Sequence, residues 1–139
     1  MVKFVIEAGV GLKWFLDEGH SEKARSYLRS NVEYYIPRLF YLETSAVLTK
    51  KMRRRELDKK EATHIRHTLG AFPFDVTPDE YLEDQAFDLA MLHHVSMYEA
   101  MYIVLAITIE GRMITSDKRF ARSMEQVGLA DWIEVVGEY

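Results

Sequence analysis

Four acidic residues of this chain lie at positions where a carboxylate could take part in chemistry. Glu7 follows a short β-rich run, Glu43 emerges from a largely apolar helix face, Glu99 lies in the first turn of an apolar helix, and Asp117 follows a brief strand. Residues that follow the carboxyl ends of parallel strands gather along one edge of the sheet. We therefore expect several of these acids to converge on one cleft.

A group of ligands made only of oxygen suits hard cations such as Mg²⁺ or Mn²⁺. The sequence has no cysteine and no glycine-rich phosphate loop, and His64 and His67 have no third ligand nearby. Hydrolysis of a phosphodiester assisted by a metal is the chemistry that this combination favours. In such a reaction the metal generates hydroxide from water and neutralises the scissile phosphate.

Three of the acids also have a structural interpretation. The pattern Ser96-x-x-Glu99 is typical of a capping box, and Asp117 could cap the helix that begins with Lys118. Glu7 could be a solvated acid in a turn. These alternatives remain open at the level of the sequence.

Glu43 needs a partner, because an unpaired buried carboxylate is costly. The partner could be Lys50, an arginine elsewhere or a metal. At helical spacing the neighbours of Glu43 are apolar: Leu39, Phe40, Ala46 and Val47.

A buried helix is expected to position Glu99. Almost every side chain between Met97 and Ile109 is apolar, so other elements must enclose this helix, and it is too short to cross a bilayer. Gly111 then stops the helix before a strand at residues 112–115, which carries the chain to Asp117.

Strands and helices alternate along the whole chain. This order predicts an α/β fold with a mainly parallel sheet and helices on both faces. Strands are predicted at residues 2–6, 34–36, 72–76, 112–115 and 132–136, and helices at 12–16, 21–30, 37–54, 58–72, 78–93, 97–109 and 118–127.

Length and composition fit one domain over residues 1–139. The absence of cysteine fits a cytoplasmic protein, and no apolar run is long enough to span a membrane. A net charge of −4 argues against coating of nucleic acid by bulk electrostatics, so contact with RNA needs bound metal or a local basic patch. The candidate patch is Arg53, Arg54 and Arg55, which could equally be a solvated helix end.

Together these segments resemble the PIN domains, and within them the small VapC-like toxins of toxin–antitoxin pairs. The resemblance extends from Val2 to about Val136. Four segments carry it: Val5-Ile-Glu7-Ala-Gly-Val-Gly-Leu-Lys-Trp-Phe15, Ile36-Pro-Arg-Leu-Phe-Tyr-Leu-Glu43, Tyr98-Glu99-Ala-Met-Tyr102-Ile-Val-Leu-Ala106 and Thr115-Ser-Asp117-Lys-Arg-Phe120.

The resemblance implies a three-layer α/β/α fold, an acidic Mg²⁺ or Mn²⁺ site and endoribonuclease activity on single-stranded RNA. It also implies a homodimer and inhibition by a cognate antitoxin protein. It makes Glu7, Glu43, Glu99 and Asp117 the catalytic and metal-binding residues and puts Gly9 and Thr115 at the edge of the site.

The chain departs from the family pattern at three positions. Glu7 and Glu99 stand where the family usually has aspartate, and Gly9 stands where it usually has serine or threonine. Mg²⁺ demands near-ideal octahedral geometry. The extra methylene of each glutamate shifts its carboxylate and is therefore expected to lower activity. Two hypotheses follow: an active metal-dependent ribonuclease, and a degenerate PIN domain that binds RNA or protein but cleaves weakly or not at all. A phosphate-binding pocket of the flavodoxin or receiver type is a third interpretation.

Overall fold

The fold is built on five parallel strands, each followed or preceded by helices. The computed structural model describes residues 1–137, so the predicted domain extends two residues beyond the described part. The strands are β1 (Val2–Ile6), β2 (Val32–Pro37), β3 (Asp75–Thr77), β4 (Arg112–Thr115) and β5 (Ile133–Val135), in the order β3-β2-β1-β4-β5. Every pairing is parallel, as the alternating pattern predicts.

Seven α-helices connect the strands of the described part. They are α1 (Ala8–Lys13), α2 (Ser21–Arg25), α3 (Leu39–Arg53), α4 (Lys59–Ala71), α5 (Glu83–His93), α6 (Met97–Ile109) and α7 (Lys118–Gln126), with 3₁₀ turns at Asp79–Tyr81 and Ala130–Trp132. The predicted three-layer α/β/α architecture is confirmed by this arrangement.

Helix α6 is the centre of the core. Seven consecutive residues from Ala100 to Ala106 are buried, and the helix contacts β1, β2 and β4. Its ends agree with the sequence prediction, since Ser96 caps the start and the backbone of Glu110 turns into the left-handed region at the end. No single helix in the part that the structure describes is long and apolar enough to cross a membrane; only α5 and α6 together, bent by 117°, meet those criteria.

Several predicted elements have different bounds in the structure. The strand predicted at residues 72–76 lies at Asp75–Thr77, because Phe72 still caps the end of α4, and the helix predicted at residues 78–93 is a 3₁₀ turn at Asp79–Tyr81 followed by α5 from Glu83. The helix predicted at residues 12–16 begins earlier, at Ala8, because the Glu7 side chain caps the amide of Gly9. The helix predicted at residues 21–30 ends at Arg25, and the turns that follow it are stabilised by backbone hydrogen bonds of Tyr27 and Leu28 and by side-chain contacts. The Tyr34 hydroxyl stabilises this segment by donating a hydrogen bond to the carbonyl of Tyr27 at 2.6 Å.

The strand order places a topological switch point between β1 and β4. From β1 the chain proceeds to β2 and β3 on one side, and then returns to place β4 and β5 on the other side. In open parallel sheets such a switch point opens a crevice at the carboxyl ends of the strands. Glu7 directly follows β1 and Asp117 lies two residues after β4, so both acids lie at this crevice.

Candidate active site

All four predicted acids line one cleft of about 810 Å³ at the switch point. Glu7 comes from the end of β1, Glu43 from α3, Glu99 from α6, and Asp117 from the turn after β4. The complete lining is Glu7, Glu43, Ser96, Tyr98, Glu99, Tyr102, Met113, Thr115, Ser116, Asp117 and Lys118. The sequence prediction that the acids converge on one cleft therefore agrees with the structure.

Glu7 is held by three donors from two sides. Its Oε1 accepts a hydrogen bond from the backbone amide of Gly9, which makes Glu7 the N-cap of α1. Its Oε2 accepts from the Thr115 hydroxyl at 3.1 Å and from the Ser116 amide at 3.4 Å. The carboxylate thus joins the end of β1 to the end of β4.

Thr115 links Glu7 to Asp117. The Thr115 hydroxyl, which is buried, donates to Glu7 and accepts from the backbone amide of Asp117 at 3.1 Å. Both predicted edge residues, Gly9 and Thr115, therefore contact an acid of the cleft.

Glu43 has a partner that the sequence did not identify. The Tyr102 hydroxyl donates to Glu43 Oε1 at 2.6 Å. Tyr102 lies in the apolar helix α6 and is 1% exposed, so its ring also packs in the core. No sequence signal distinguishes a tyrosine that only packs from one whose hydroxyl reaches a carboxylate on another helix.

Helix α3 covers only part of the apolar face expected around Glu43. Phe40, Thr44 and Leu48 are buried, whereas Ala46 is exposed and Leu39 and Val47 are half-buried. The buried row follows a spacing of four residues from Phe40, which leaves Glu43 beside it and only partly buried.

Glu99 and Asp117 also cap helices, as the structural interpretation predicted. Ser96 and Glu99 form a complete capping box at the start of α6, with bonds of 3.0 and 3.1 Å. Asp117 Oδ1 accepts from the amide of Phe120 at 3.0 Å and caps α7. Helix capping and a place in the cleft are therefore compatible for both residues.

The cleft disfavours negative charge at its two most enclosed acids. Burial raises the pKa of the Glu7 carboxyl, although its hydrogen bonds act in the opposite direction. Burial also raises the pKa of Glu43, which the Tyr102 hydroxyl lowers and the charges of Glu7, Asp79 and Glu99 raise further. A proton or a cation bound in the cleft would relieve this repulsion.

The acids are not packed tightly around one point. Among residues 1–137, no three histidine, cysteine, aspartate or glutamate side chains form a group that could hold a metal ion as they stand. This agrees with the engagement of the carboxylates by Gly9, Tyr102, Ser96 and Phe120.

The predicted basic patch lies away from the cleft. Arg53, Arg54 and Arg55 are exposed at the last turn of α3, and Arg53 is ten residues, or about 15 Å of helix, beyond Glu43. The basic residue that does line the cleft is Lys118. His64 and His67 are exposed on α4.

A five-stranded parallel sheet covered by helices, with an acidic cleft at its switch point, defines the class of this protein. Residues 4–124 match the family model of the PIN domain. The chain belongs to the PIN-domain family, which confirms the resemblance seen in the sequence.

One known protein is similar to this chain in sequence, and solved structures are similar to it in fold. Ribonuclease VapC3 of Pyrobaculum aerophilum is 30% identical over 122 residues, which cover 86% of this chain and 93% of that protein. VapC20 of Mycobacterium tuberculosis, a toxin that cleaves the sarcin-ricin loop, has a TM-score of 0.68 at 13% identity and covers 86% of this chain and 94% of its own. A toxin–antitoxin complex from Klebsiella pneumoniae has a TM-score of 0.66 at 10% identity and covers 97% and 98%.

Proposed function

We propose that this protein is a metal-dependent endoribonuclease of the VapC type, which hydrolyses phosphodiester bonds of single-stranded RNA. The observation that carries the proposal is the meeting of Glu7, Glu43, Glu99 and Asp117 in one cleft at the switch point. The 30% identity to Ribonuclease VapC3 supports the same activity. The proposal places the protein in the cytoplasm, where RNA is available.

The donors of the cleft fit a hard divalent cation. Its acids offer carboxylate oxygens, and no nitrogen or sulfur ligand other than Met113 and Lys118 is among the described lining residues. Burial raises the pKa of Glu7 and Glu43, so positive charge would be favourable there. We assign the binding of Mg²⁺ or Mn²⁺ to Glu7, Glu43, Glu99 and Asp117. When bound, the cation activates water and neutralises charge on the phosphate.

Other residues of the cleft orient the acids. Tyr102 fixes Glu43, and Thr115 fixes Glu7 through Oε2. Lys118 contributes positive charge at the wall of the cleft, which favours the backbone of RNA. The exposed Arg53, Arg54 and Arg55 would contact phosphates farther along the strand.

A second candidate function is a degenerate PIN domain that binds RNA or protein with weak or no cleavage. The observation that favours it is the separation of the acids, because no three of them in the described chain group around a point. The long side chains of Glu7 and Glu99 are both engaged in caps of their own helices.

We also propose two protein partners. One is a cognate antitoxin, by analogy with the toxin–antitoxin complex of similar fold. The other is a second copy of this chain, bound through an apolar face on α3, α5 and α6. This face includes Leu42, Phe87, Met91 and Tyr98, which are 54–76% exposed. Leu42, Phe87 and Tyr98 line one groove, and a contiguous exposed apolar patch marks an interaction surface.

Cleavage of a mixed single-stranded RNA in Mg²⁺, in Mn²⁺ and in chelator tests the activity. The variant Asp117→Asn keeps the cap of α7, because asparagine caps helices well, but removes the charge. The matched control is Asp131→Asn, which changes an exposed acid outside the cleft. Cleavage that needs metal and is lost only in Asp117→Asn supports the ribonuclease. Absence of cleavage in both metals from folded protein supports the degenerate domain.

A further inference from the structure

Gly9 lies against the carboxylate of Glu7 and has no backbone reason to be glycine. It is the second residue of α1, and its φ lies outside the left-handed region where glycine is favoured. Alanine is a better helix former than glycine at such a position. The use of glycine at position 9 therefore needs another explanation.

Space is that explanation. A Cβ at position 9 would lie 2.9 Å from Glu7 Oε1, 3.5 Å from Glu7 Oε2 and 3.1 Å from Ser116 Oγ. A contact under 3.0 Å forces one of the two groups to move. The backbone of α1 is fixed by its own hydrogen bonds and by its packing on α3, so the Glu7 carboxylate is the group that moves.

The same residue also holds the carboxylate. The Gly9 amide donates to Glu7 Oε1, while Thr115 and Ser116 donate to Oε2 from the opposite strand. If a side chain at position 9 pushed the Glu7 carboxylate away, the carboxylate would lose some of these three hydrogen bonds. Gly9 thus supplies one donor and the volume that allows the other two to be used.

We propose that Gly9 is a positioning residue for Glu7: its lack of a side chain lets the long glutamate carboxylate sit between α1 and the end of β4. The inference rests on the proposed function in one respect, which is that Glu7 binds the metal. It predicts a coupling between the two positions, because a carboxylate one methylene shorter would not need the space at position 9.

The test uses four variants of the full chain: Gly9→Ala, Glu7→Asp, the two combined, and Gly19→Ala as matched control. Gly19 has no atom within 4 Å of its added Cβ. Calorimetry with MnCl₂ measures the affinity of each variant. Crystal structures of the wild type and of Gly9→Ala, both without metal, measure the distance from Glu7 Oε2 to the Thr115 hydroxyl, which is 3.1 Å here.

We expect Gly9→Ala to weaken Mn²⁺ binding about 10-fold to 100-fold, as is typical of residues that orient a ligand. The same change in the Glu7→Asp background has a much smaller effect, and Gly19→Ala has none. Gly9→Ala stays folded but melts below the wild type in chelator, because the displaced carboxylate gives up a hydrogen bond from a buried hydroxyl. The crystal structure of Gly9→Ala shows the contact between Glu7 and Thr115 broken.

Equal losses of affinity from Gly9→Ala in both backgrounds, or an intact contact between Glu7 and Thr115 in the variant, would overturn the inference. If wild-type protein binds no Mn²⁺, the proposed metal site fails. The crystallographic distance then still decides whether Gly9 positions Glu7, so the two failures are distinguishable.

Discussion

The Tyr102 hydroxyl donates a 2.6 Å hydrogen bond to Glu43 Oε1, and this bond connects the buried helix α6 to α3 across the cleft. Hydrogen bonds to charged groups contribute about 1.5–3 kcal/mol. We therefore expect Tyr102→Phe to reduce RNA cleavage by about 10-fold or more, with Glu43 less well oriented for the metal.

Tyr98→Phe is the matched control for that change. Tyr98 lies one turn earlier on the same helix and also lines the cleft, but its side chain is 61% exposed. Cleavage rates and Mn²⁺ affinities of both variants check the prediction. Equal losses in the two variants would argue against a specific role of the Tyr102 hydroxyl.

The raised pKa of Glu43 predicts a variant that is more stable than the wild type. Burial raises the pKa above its ordinary value of 4.5, so the folded state binds the proton more tightly than the unfolded state. The resulting stability is fully present below pH 4.5 and is lost as the pH rises through the folded pKa. Glu43→Gln should therefore melt at a higher temperature than the wild type at pH 7 in chelator.

The same melts at pH 4 provide the control for Glu43→Gln, because the wild-type carboxyl is then largely protonated in both states. The difference in melting temperature should shrink there. Addition of MnCl₂ at pH 7 should stabilise the wild type more than the variant. A variant that melts below the wild type at pH 7 would contradict this account.

Glu99 allows its two roles to be separated. Glu99→Gln keeps the capping box, since glutamine serves at that position, but removes the charge from the cleft. We expect stability within about 0.5 kcal/mol of the wild type and loss of metal-dependent cleavage. Ser96→Ala gives the opposite pattern, with about 1 kcal/mol of lost stability and all four acids intact. Denaturant melts and RNA cleavage measure the two effects.

The basic patch predicts a change in salt dependence. Binding is measured in the Asp117→Asn background, so that the RNA is not cleaved during the measurement. Replacing Arg53, Arg54 and Arg55 with alanine in this background should weaken RNA binding. The slope of log affinity against log salt should fall by up to about 2, from about 0.7 for each phosphate contact on a single strand. Lys23→Ala, an exposed lysine on α2, should leave the slope unchanged. An unaltered slope in the triple variant would mean that these arginines form a solvated helix end and do not contact RNA.

The apolar face predicts the state of association. Leu42→Asp and Phe87→Asp each place a charge on this face and should convert a dimer into monomers in sedimentation experiments. Leu28→Asp changes a leucine that is 42% exposed outside the face and should leave the dimer intact. A wild-type protein that sediments as a monomer at high concentration would refute the proposed dimer.

The sequence predicted those elements whose boundaries depend on local signals. Helix α6 is apolar throughout, begins at a capping box and is followed by Gly111, so its ends at Met97 and Ile109 and the following strand agree with the prediction to the residue. The parallel sheet followed from the alternation of strands and helices. Both inferences use information that lies within a short stretch of chain.

Features that depend on tertiary contacts could not be predicted from the sequence. The pairing of Tyr102 with Glu43 joins residues 59 apart, and the register of α3 that exposes Ala46 is set by its packing on β2 and α1. Topology predicted that several of the acids share one cleft, and the family resemblance extended this to all four. The caps by Glu99 and Asp117 were predicted from local patterns, whereas the hydrogen bonds of Glu7 to Thr115 and Ser116 required the structure.

The contact between Glu7 and position 9 also constrains the order in which these residues could have been acquired. A chain with a side chain at position 9 has no room for a glutamate at position 7 in this pose, whereas a chain with glycine at position 9 tolerates either acid. On the proposed positioning role, an exchange of both residues keeps Glu7 in place throughout only if the glycine precedes the longer acid. The reverse exchange keeps the site intact only if position 7 is shortened first.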